Sequence, residues 1–320
     1  METLSKFNHV DAVTVDEASS ILSQNAGEAW VNAGGTDLVG TLRFHVLPSD
    51  MSPTTIVNLK TIPNLDYIKE EGGTLKIGAL TRLEDIAQSS VVKGSWAALA
   101  EAAHKTASPH IREIGTIAGN ICQLNRCWYF RKANNRFDCL RKGGGICFAM
   151  MGENRYHAIY GGVDGCVAVN PSDTAPALVA LGATIVTSKR EIPAADFWTV
   201  AIPGSTVLDA DEIVTEIQVP AFSGKSAFVK FALRTSIDFP IVNCAAAIGG
   251  STASICLNAV YNMPVKLTAA EESIAGKTID EASAEAAGAT AGSGTTALAH
   301  NKWKIQVAKG MVKKAILACA

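Results

Sequence analysis

Five of the eight cysteines in this 320-residue chain fall between positions 122 and 166. Disulfide frameworks belong to short secreted chains, whereas clustered thiols in a reducing cytosol bind metal or carry out redox chemistry. Successive thiols of Cys127, Cys139, Cys147 and Cys166 are separated by 11, 7 and 18 residues. Structural zinc sites usually pair cysteines two to four residues apart, and these four contain no such pair, while iron–sulfur clusters accept wider spacing. From the residues alone, an iron–sulfur cluster, a zinc site and free thiols all remain open.

The same segment is rich in bases and aromatic residues. Between 123 and 166, seven bases stand against three acids, a local charge of +4 in a chain whose formal net charge is −2. A cluster held by four thiolates is negatively charged and needs nearby cations, amide donors and exclusion of water. We expect the bases to neutralise such a cluster, or to form a docking face for an acidic redox protein such as a ferredoxin. The bases are Arg126, Arg131, Lys132, Arg136, Arg141, Lys142 and Arg155, and the acids are Asp138, Glu153 and Asp164. The candidates for amide donors and for a dry shell are Gly143, Gly144, Gly145, Trp128, Tyr129, Phe130 and Phe148.

The remaining cysteines are predicted to pack in the core. Cys244, Cys256 and Cys319 lie in apolar surroundings, and free cysteine is among the most buried residue types. Cys122 continues the apolar stretch that follows a glycine turn, so we interpret it as a packing residue as well.

Two glycine turns follow apolar segments, 32-NAGGTDL-38 and 115-GTIAGNI-121. Glycine lets the backbone approach a ligand closely, and successive amides at a helix N-terminus can bind a pyrophosphate. Neither turn has the Rossmann spacing or the P-loop spacing, which excludes both of those interpretations. Each turn alone is a weak signal.

The elements that must position these groups alternate between helix and strand, which predicts an α/β chain. The pattern predicts a domain boundary between Pro220 and Gly224, and it predicts a flexible connection over the Ala/Gly/Thr-rich residues 282–299. The predicted helices cover 16–24, 38–47, 83–88, 96–105 and 302–317, with a further one beginning in 171–178. The predicted strands cover 29–33, 55–59, 66–71, 74–79, 212–220, 227–233, 241–250 and 253–261.

The bulk composition excludes some function classes. A hydrophobic content of 48% and a net charge of −2 give no reason to expect binding to nucleic acid or to a membrane surface. The N-terminus lacks the pattern of a signal peptide, and no apolar run approaches the roughly 18 residues that span a bilayer. We therefore expect a cytoplasmic protein.

Several ordered motifs together resemble the FAD-binding medium subunit of the molybdenum hydroxylases, the xanthine oxidase family. They are AGGTDL at 33–38, IGALTRLEDI at 77–86, REIGTIAGNI at 112–121 and PSDTAPAL at 171–178. The likeness continues through Lys230 and 264–277 into the last helix, so it covers nearly the whole chain. It implies an α/β (α+β) two-subdomain FAD-binding fold of the vanillyl-alcohol-oxidase (PCMH) type over 1–222, followed by a CO-dehydrogenase-flavoprotein-like C-terminal domain over 223–320.

The resemblance also implies the FAD site. The first turn would wrap the FAD pyrophosphate, the second would lie against it, and Asp173 and Lys230 would approach the flavin from the other side. A lysine there could stabilise a reduced, anionic flavin, while Asp173 is alternatively a helix N-cap. The implied residues are Asn32, Ala33, Gly34, Gly35, Thr36, Asp37, Leu38, Thr116, Ala118, Gly119, Asn120, Asp173 and Lys230.

Most medium subunits of this family pass almost directly from the second turn to the PSD helix, whereas this chain has an insertion at 122–167. A subset that includes the beta subunit of 4-hydroxybenzoyl-CoA reductase and some bacterial aldehyde oxidoreductases binds a [4Fe–4S] cluster in such an insertion. The resemblance therefore implies Cys127, Cys139, Cys147 and Cys166 as cluster ligands.

The function implied is electron transfer within a larger enzyme. The partners would be a large subunit that binds molybdopterin and a small subunit that carries [2Fe–2S] clusters, and the organic substrate would not contact this chain. One alternative is a self-contained FAD-dependent oxidase, for which His104 and His110 are the nearest acid/base candidates. Another is a zinc-stabilised scaffold subunit.

Overall fold

The computed structural model describes residues 4–162, 165–199, 202, 204–235 and 237–320. Asp164, one of the three acids counted in the cysteine segment, lies outside the described residues. The helices are α1 Val15–Gln24, α2 Leu38–Arg43, α3 Leu83–Gln88, α4 Ser90–Ser95, α5 Ala97–His104, α6 Pro109–Arg112, α7 Ile117–Cys122, α8 Phe148–Met151, α9 Thr174–Ala180, α10 Ala194–Phe197, α11 Thr268–Ile274, α12 Glu281–Thr290 and α13 Trp303–Leu317. The strands are β1 Asn8–Asp11, β2 Ala29–Asn32, β3 Thr55–Asn58, β4 Ile68–Glu71, β5 Thr74–Gly78, β6 Thr184–Thr187, β7 Glu191–Pro193, β8 Val214–Val219, β9 Lys225–Phe231, β10 Val242–Gly249, β11 Thr252–Asn258 and β12 Val265–Lys266.

A small parallel sheet of order β1-β3-β2 opens the chain and carries the first glycine turn. Its crossover helix α1 begins at Thr14, whose hydroxyl accepts a hydrogen bond from the Glu17 amide. Ala18 and Leu22 on α1 share a buried cluster with Ala29 of β2 and Val57 of the central strand β3. The apolar stripe of α1 therefore fixes β2, and the turn that leaves β2 starts from a buried support.

The second sheet is antiparallel, of order β4-β5-β8-β6-β7, and is covered by helices. Its alternating apolar residues, among them Ile77 and Ile217, share one core with Trp96 and Leu99 from the helical side. The second glycine turn and α7 lie against this core, because Ile117 and Ile121 are buried in it.

The third sheet, of order β12-β11-β10-β9, is antiparallel and packs on α11, α12 and α13. Here the predicted flexible connection over 282–299 is wrong, because α12 forms and packs on α13. Asp280 and Ser283 make a capping box, and a Cβ at Gly288 would lie 2.7 Å from the carbonyl oxygen of Lys309. Small residues thus allow a close helix–helix approach that does not require large apolar side chains.

The mixed α/β class predicted from the sequence is confirmed, with boundaries shifted by a few residues. The largest shift is at α2, which ends at Arg43 rather than at 47. In the part of the chain that the structure describes, we find no helix with the length and apolarity to cross a bilayer.

Candidate functional site

A cavity of about 460 Å³ lies between the two glycine turns. Eleven of the thirteen residues implied for FAD binding line it, including Asp173 at the start of α9. The first turn contributes Ala33, Gly34, Gly35, Thr36, Asp37 and Leu38, and the second contributes Thr116, Ala118, Gly119 and Asn120. Lys230 and Asn32 are not among the lining residues. The tertiary structure thus brings together segments about 80 and 55 residues apart in sequence.

The two glycine turns also touch each other. A Cβ at Gly34 would lie 2.3 Å from the carbonyl oxygen of Ile114 and 2.8 Å from the Cα of Gly115. Gly35 has φ +70°, a conformation that favours glycine. Thr116 is buried, and its hydroxyl accepts a hydrogen bond from the Gly119 amide at the start of α7. The glycines therefore serve turn-to-turn packing as well as access to a ligand.

Asp173 forms a buried ion pair with Lys230. The Lys230 ammonium donates to Asp173 Oδ2 at 2.7 Å and to the Lys105 carbonyl at 2.9 Å, and Asn243 donates to Asp173 Oδ1 at 2.8 Å. Burial raises the pKa of Asp173, and the contact with Lys230 acts in the opposite direction. Asp173 occupies the N-cap position of α9, but its side chain makes no capping hydrogen bond. The predicted N-cap position of Asp173 is therefore confirmed, but its carboxylate binds a nearby cation and an amide rather than the amides of the helix.

Asn32 begins the first glycine turn, and Asn120 lies near the end of the second. Asn120 Oδ1 accepts hydrogen bonds from the hydroxyls of Ser172 at 2.6 Å and Thr174 at 2.7 Å, which tie α7 to the start of α9. Asn32 Oδ1 is buried and has no hydrogen-bond partner among the described residues.

The four cysteines of the insertion line one small second cavity. Cys127, Cys139, Cys147 and Cys166 all contribute, with Tyr129, Phe130 and Phe148 among the other lining residues. Trp128, predicted for the same dry shell, is instead 49% exposed and lies edge-on to Tyr156. No group of three or more His, Cys, Asp or Glu side chains within the described ranges is arranged to hold a metal ion. The thiols share a cavity without converging on a single point.

Side-chain nitrogens lie close to two of these sulfurs. Arg141 Nε donates to Cys166 Sγ at 3.1 Å, and His157 Nε2 lies 3.1 Å from Cys127 Sγ. Asn262 Nδ2 is 3.8 Å from Cys166 Sγ. Sequence reasoning missed His157 and Asn262, although His157 is the one histidine of the insertion.

The basic residues of the insertion divide into three groups. Arg141 and Lys142 are buried beside the thiols, and the buried Lys142 ammonium has no hydrogen-bond partner among the described residues. Arg126 and Arg131 pair with Asp37, whereas Lys132, Arg136 and Arg155 are exposed, and Arg155 pairs with Glu153. Arg141 and Lys142 are buried and cannot contribute to a docking face, whereas Lys132, Arg136 and Arg155 are exposed. The docking face itself stays a prediction.

The other predicted residues lie elsewhere. Cys122 lines the glycine-turn cavity and packs on the core of the second sheet, where burial raises its pKa to about 12. His104 and His110 are exposed and do not line that cavity. Cys244, Cys256 and Cys319 are buried, as predicted.

Asp37 ties the glycine-turn cavity to the cysteine segment. Its carboxylate accepts hydrogen bonds from Arg126 at 2.8 Å, from Arg131 at 2.9 Å and 3.0 Å, and from the Leu124 amide at 3.1 Å. Burial alone would raise the pKa of Asp37, but the two guanidinium groups outweigh it and the pKa is lowered.

Sequence and structure comparisons identify relatives over the whole chain. The family described as the FAD binding domain in molybdopterin dehydrogenase matches residues 5–222, and the CO dehydrogenase flavoprotein C-terminal domain matches residues 227–319. The aldehyde oxidoreductase FAD-binding subunit PaoB of Escherichia coli is 31% identical, over 82% of this chain and 84% of that protein. The carbon monoxide dehydrogenase medium chain of Hydrogenophaga pseudoflava is 26% identical, over 98% of this chain and 96% of that protein.

Solved structures are similar to this chain over nearly its whole length. A chain of carbon monoxide dehydrogenase from Hydrogenophaga pseudoflava has a TM-score of 0.76 at 25% identity, over 99% of this chain and 98% of that chain. Quinoline 2-oxidoreductase from Pseudomonas putida has a TM-score of 0.75 at 20% identity, with the same coverage, which supports the fold alone. The predicted flavin fold with its C-terminal domain is thus confirmed. The chain belongs to the family of FAD-binding medium subunits of molybdenum hydroxylases and is an oxidoreductase subunit.

Proposed function

We propose that this chain is an electron-transfer subunit that binds FAD in the glycine-turn cavity and a [4Fe–4S] cluster in the cysteine cavity. The observation that carries the cluster is that four thiols from one insertion line a single cavity. The family descriptions name a flavin and no iron–sulfur cluster. The proposal of a cluster therefore rests on the residues of this chain and not on the family.

The residues of the glycine-turn cavity fit FAD. Ala33 to Leu38 line it together with Thr116, Ala118, Gly119 and Asn120, and a glycine at 34 leaves room for the close contact between the two turns. Backbone amides at the starts of short helices can satisfy pyrophosphate oxygens without burying an unpaired charge. Asp173 is already held by Lys230, so this ion pair would border the flavin as a fixed, neutral unit.

The residues of the cysteine cavity fit an iron–sulfur cluster. Thiolates are the ligands of such clusters, and N–H donors to sulfur together with exclusion of water tune them. Arg141 already donates to a sulfur, and the buried Lys142 ammonium next to the thiols has no hydrogen-bond partner in the described chain. Two buried cations would offset the negative charge that a four-thiolate cluster brings. When bound, FAD and the cluster would supply the redox chemistry, and the protein residues hold, shield and neutralise them.

The partners follow from the family. The Mo-binding large subunit and the [2Fe–2S] small subunit would exchange electrons with this chain, which we place in the cytoplasm with domains at 1–222 and 223–320. An acidic external redox protein could contact Lys132 and Arg136, the exposed pair of the insertion bases that carries no ion pair among the described residues. The self-contained oxidase loses support, because His104 and His110 do not line the cavity.

Iron and acid-labile sulfide analysis of this full chain, separated from its partner subunits so that their [2Fe–2S] iron is not counted, tests the cluster. We expect about four irons per chain in the wild type. Cys139→Ala should lose most of this iron, while Cys319→Ala should keep it. The two thiols are closely matched in burial, at 7% and 6% exposure, but only Cys139 lines the cysteine cavity. Zinc in place of iron would support the scaffold alternative, and a flavin without either metal would refute the cluster.

A further inference from the structure

Arg126 stands where the cysteine segment meets the flavin cavity. It directly precedes the proposed cluster ligand Cys127, and it lines the cavity between the glycine turns. Its backbone is fixed by two hydrogen bonds with Val169, at 2.9 and 3.0 Å. Its guanidinium carbon lies 4.1 Å from the ring centroid of Phe239, which comes from the C-terminal part of the chain. Three parts of the fold therefore determine where this side chain points.

The Arg126 side chain has a buried nitrogen without a hydrogen-bond partner among the described residues. Arg126 Nη2 donates to Asp37 at 2.8 Å, but Nε is buried and makes no hydrogen bond within the described part of the chain. A buried donor without an acceptor is costly, and more so when it belongs to a charged group. This cost indicates that the position of the guanidinium group is held by its contacts with Asp37 and Phe239 rather than by a full set of hydrogen bonds.

The charges nearby do not cancel. One carboxylate, Asp37, faces two guanidinium groups, which leaves a net charge of +1. Arg131 uses its nitrogens on Asp37, Thr41 and the carbonyls of Leu124 and Asn125, and it does not line the cavity. The other carboxylates that line the cavity, Asp173, Glu212 and Asp238, are paired with Lys230, Arg190 and Arg234, so Arg126 is the cation of the lining that its partner carboxylate does not fully neutralise.

We propose that Arg126, in the wall of the glycine-turn cavity, offers its charge to an anionic group of the bound flavin nucleotide. This inference rests on the proposed FAD site. The anionic group is either the pyrophosphate or the reduced flavin ring. The role that the sequence suggested for Lys230, a cation that favours anionic flavin, passes to Arg126, because the Lys230 ammonium is paired with Asp173 and does not line the cavity. Two consecutive residues, Arg126 and Cys127, then serve the flavin and the cluster.

The test uses Arg126→Gln and Arg126→Lys in the purified complex, with Arg155→Gln as the matched control. Arg155 lies in the same insertion but pairs with Glu153 away from the cavity. Binding of FAD and of riboflavin to the deflavinated complex is followed by fluorescence, and the flavin midpoint potential by spectroelectrochemical titration. Repeating the variants in the Cys139→Ala background separates an effect on the flavin from any loss of iron.

A contact with the pyrophosphate predicts that Arg126→Gln binds FAD at least tenfold more weakly and binds riboflavin as the wild type does. A contact with the reduced ring predicts a lower midpoint potential instead. In either case we expect Arg126→Lys to lie between the wild type and Arg126→Gln. If both variants match the wild type within twofold in FAD affinity and also keep its potential, the inference is wrong. If the wild type itself does not bind FAD, the proposed function fails rather than the role of Arg126.

Discussion

Gly34→Ala tests whether the contact between the two glycine turns holds the glycine-turn cavity together. The added Cβ would lie 2.3 Å from the Ile114 carbonyl oxygen, 2.8 Å from the Gly115 Cα and 3.0 Å from the Ile114 carbonyl carbon. All three are backbone atoms, so no side chain can rotate away. A carbon and a carbonyl oxygen normally approach to about 3.3 Å, so the turns must separate by roughly 1 Å.

Overpacking of this kind costs about 1–3 kcal/mol. If the strain falls on the flavin-binding conformation, the FAD dissociation constant rises by about 5- to 150-fold, since 1.4 kcal/mol corresponds to a factor of ten. If the strain falls on the fold, the free energy of unfolding in urea decreases by the same amount. FAD binding to the deflavinated protein and urea unfolding together measure both.

Gly40→Ala is the control. Gly40 lies inside α2, only six residues away, and a Cβ there has no neighbour within 4 Å. Alanine in a helix interior stabilises by about 0.5–1 kcal/mol relative to glycine. Gly40→Ala should therefore leave FAD affinity unchanged and slightly raise the free energy of unfolding. Wild-type FAD affinity and stability in Gly34→Ala would refute the reasoning, because the two turns would then not depend on their close contact.

Three further changes test other parts of the fold. Lys230→Met leaves the Asp173 carboxylate buried without its cation and should lower the free energy of unfolding in urea by about 3–5 kcal/mol; a loss below about 1 kcal/mol would contradict the ion pair. The pKa of Glu212 falls from 4.5 to about 2, because hydrogen bonds to its carboxylate outweigh the opposing effect of burial. The ionised carboxylate therefore adds about 3 kcal/mol to the free energy of unfolding above pH 4.5, and this stabilisation is lost as the pH falls towards 2. Glu212→Gln should make the free energy of unfolding depend less on pH in this range, and an unchanged pH dependence would contradict the prediction. Gly288→Ala should cost about 1–3 kcal/mol by pushing α12 off α13, whereas Gly310→Ala, where a Cβ has no neighbour within 4 Å, should not destabilise; equal unfolding free energies would argue against the close helix contact.

The contacts of Asp37 have a consequence for how the two cavities depend on each other. Its partners on the cysteine side are Leu124, Arg126 and Arg131, so the conformation of the first glycine turn depends on the start of the insertion. A change in the conformation of the cysteine segment would therefore alter the first glycine turn through the contacts of the Asp37 carboxylate.

The local patterns of the sequence determined most of the secondary structure. Apolar periodicity located α1, α3 and α13, because a buried stripe requires helical spacing whatever it packs against. The glycine turns and the four clustered cysteines could also be found in the sequence, because glycine and cysteine in such patterns have few other roles. Periodicity failed at α12, where alanines and Gly288 form a helix whose stability comes from close packing on α13.

Only the tertiary structure decided which groups face each other. Nothing local in the sequence distinguishes the buried Arg141 and Lys142 from the exposed Lys132, because burial depends on the path of the insertion over the core. The same holds for Lys230, which lies 57 residues after its partner Asp173 and is neutralised by it. Charges interact over distances in space rather than along the chain. The sequence therefore predicted the residues of the candidate site, whereas only the fold determines which groups they pair with.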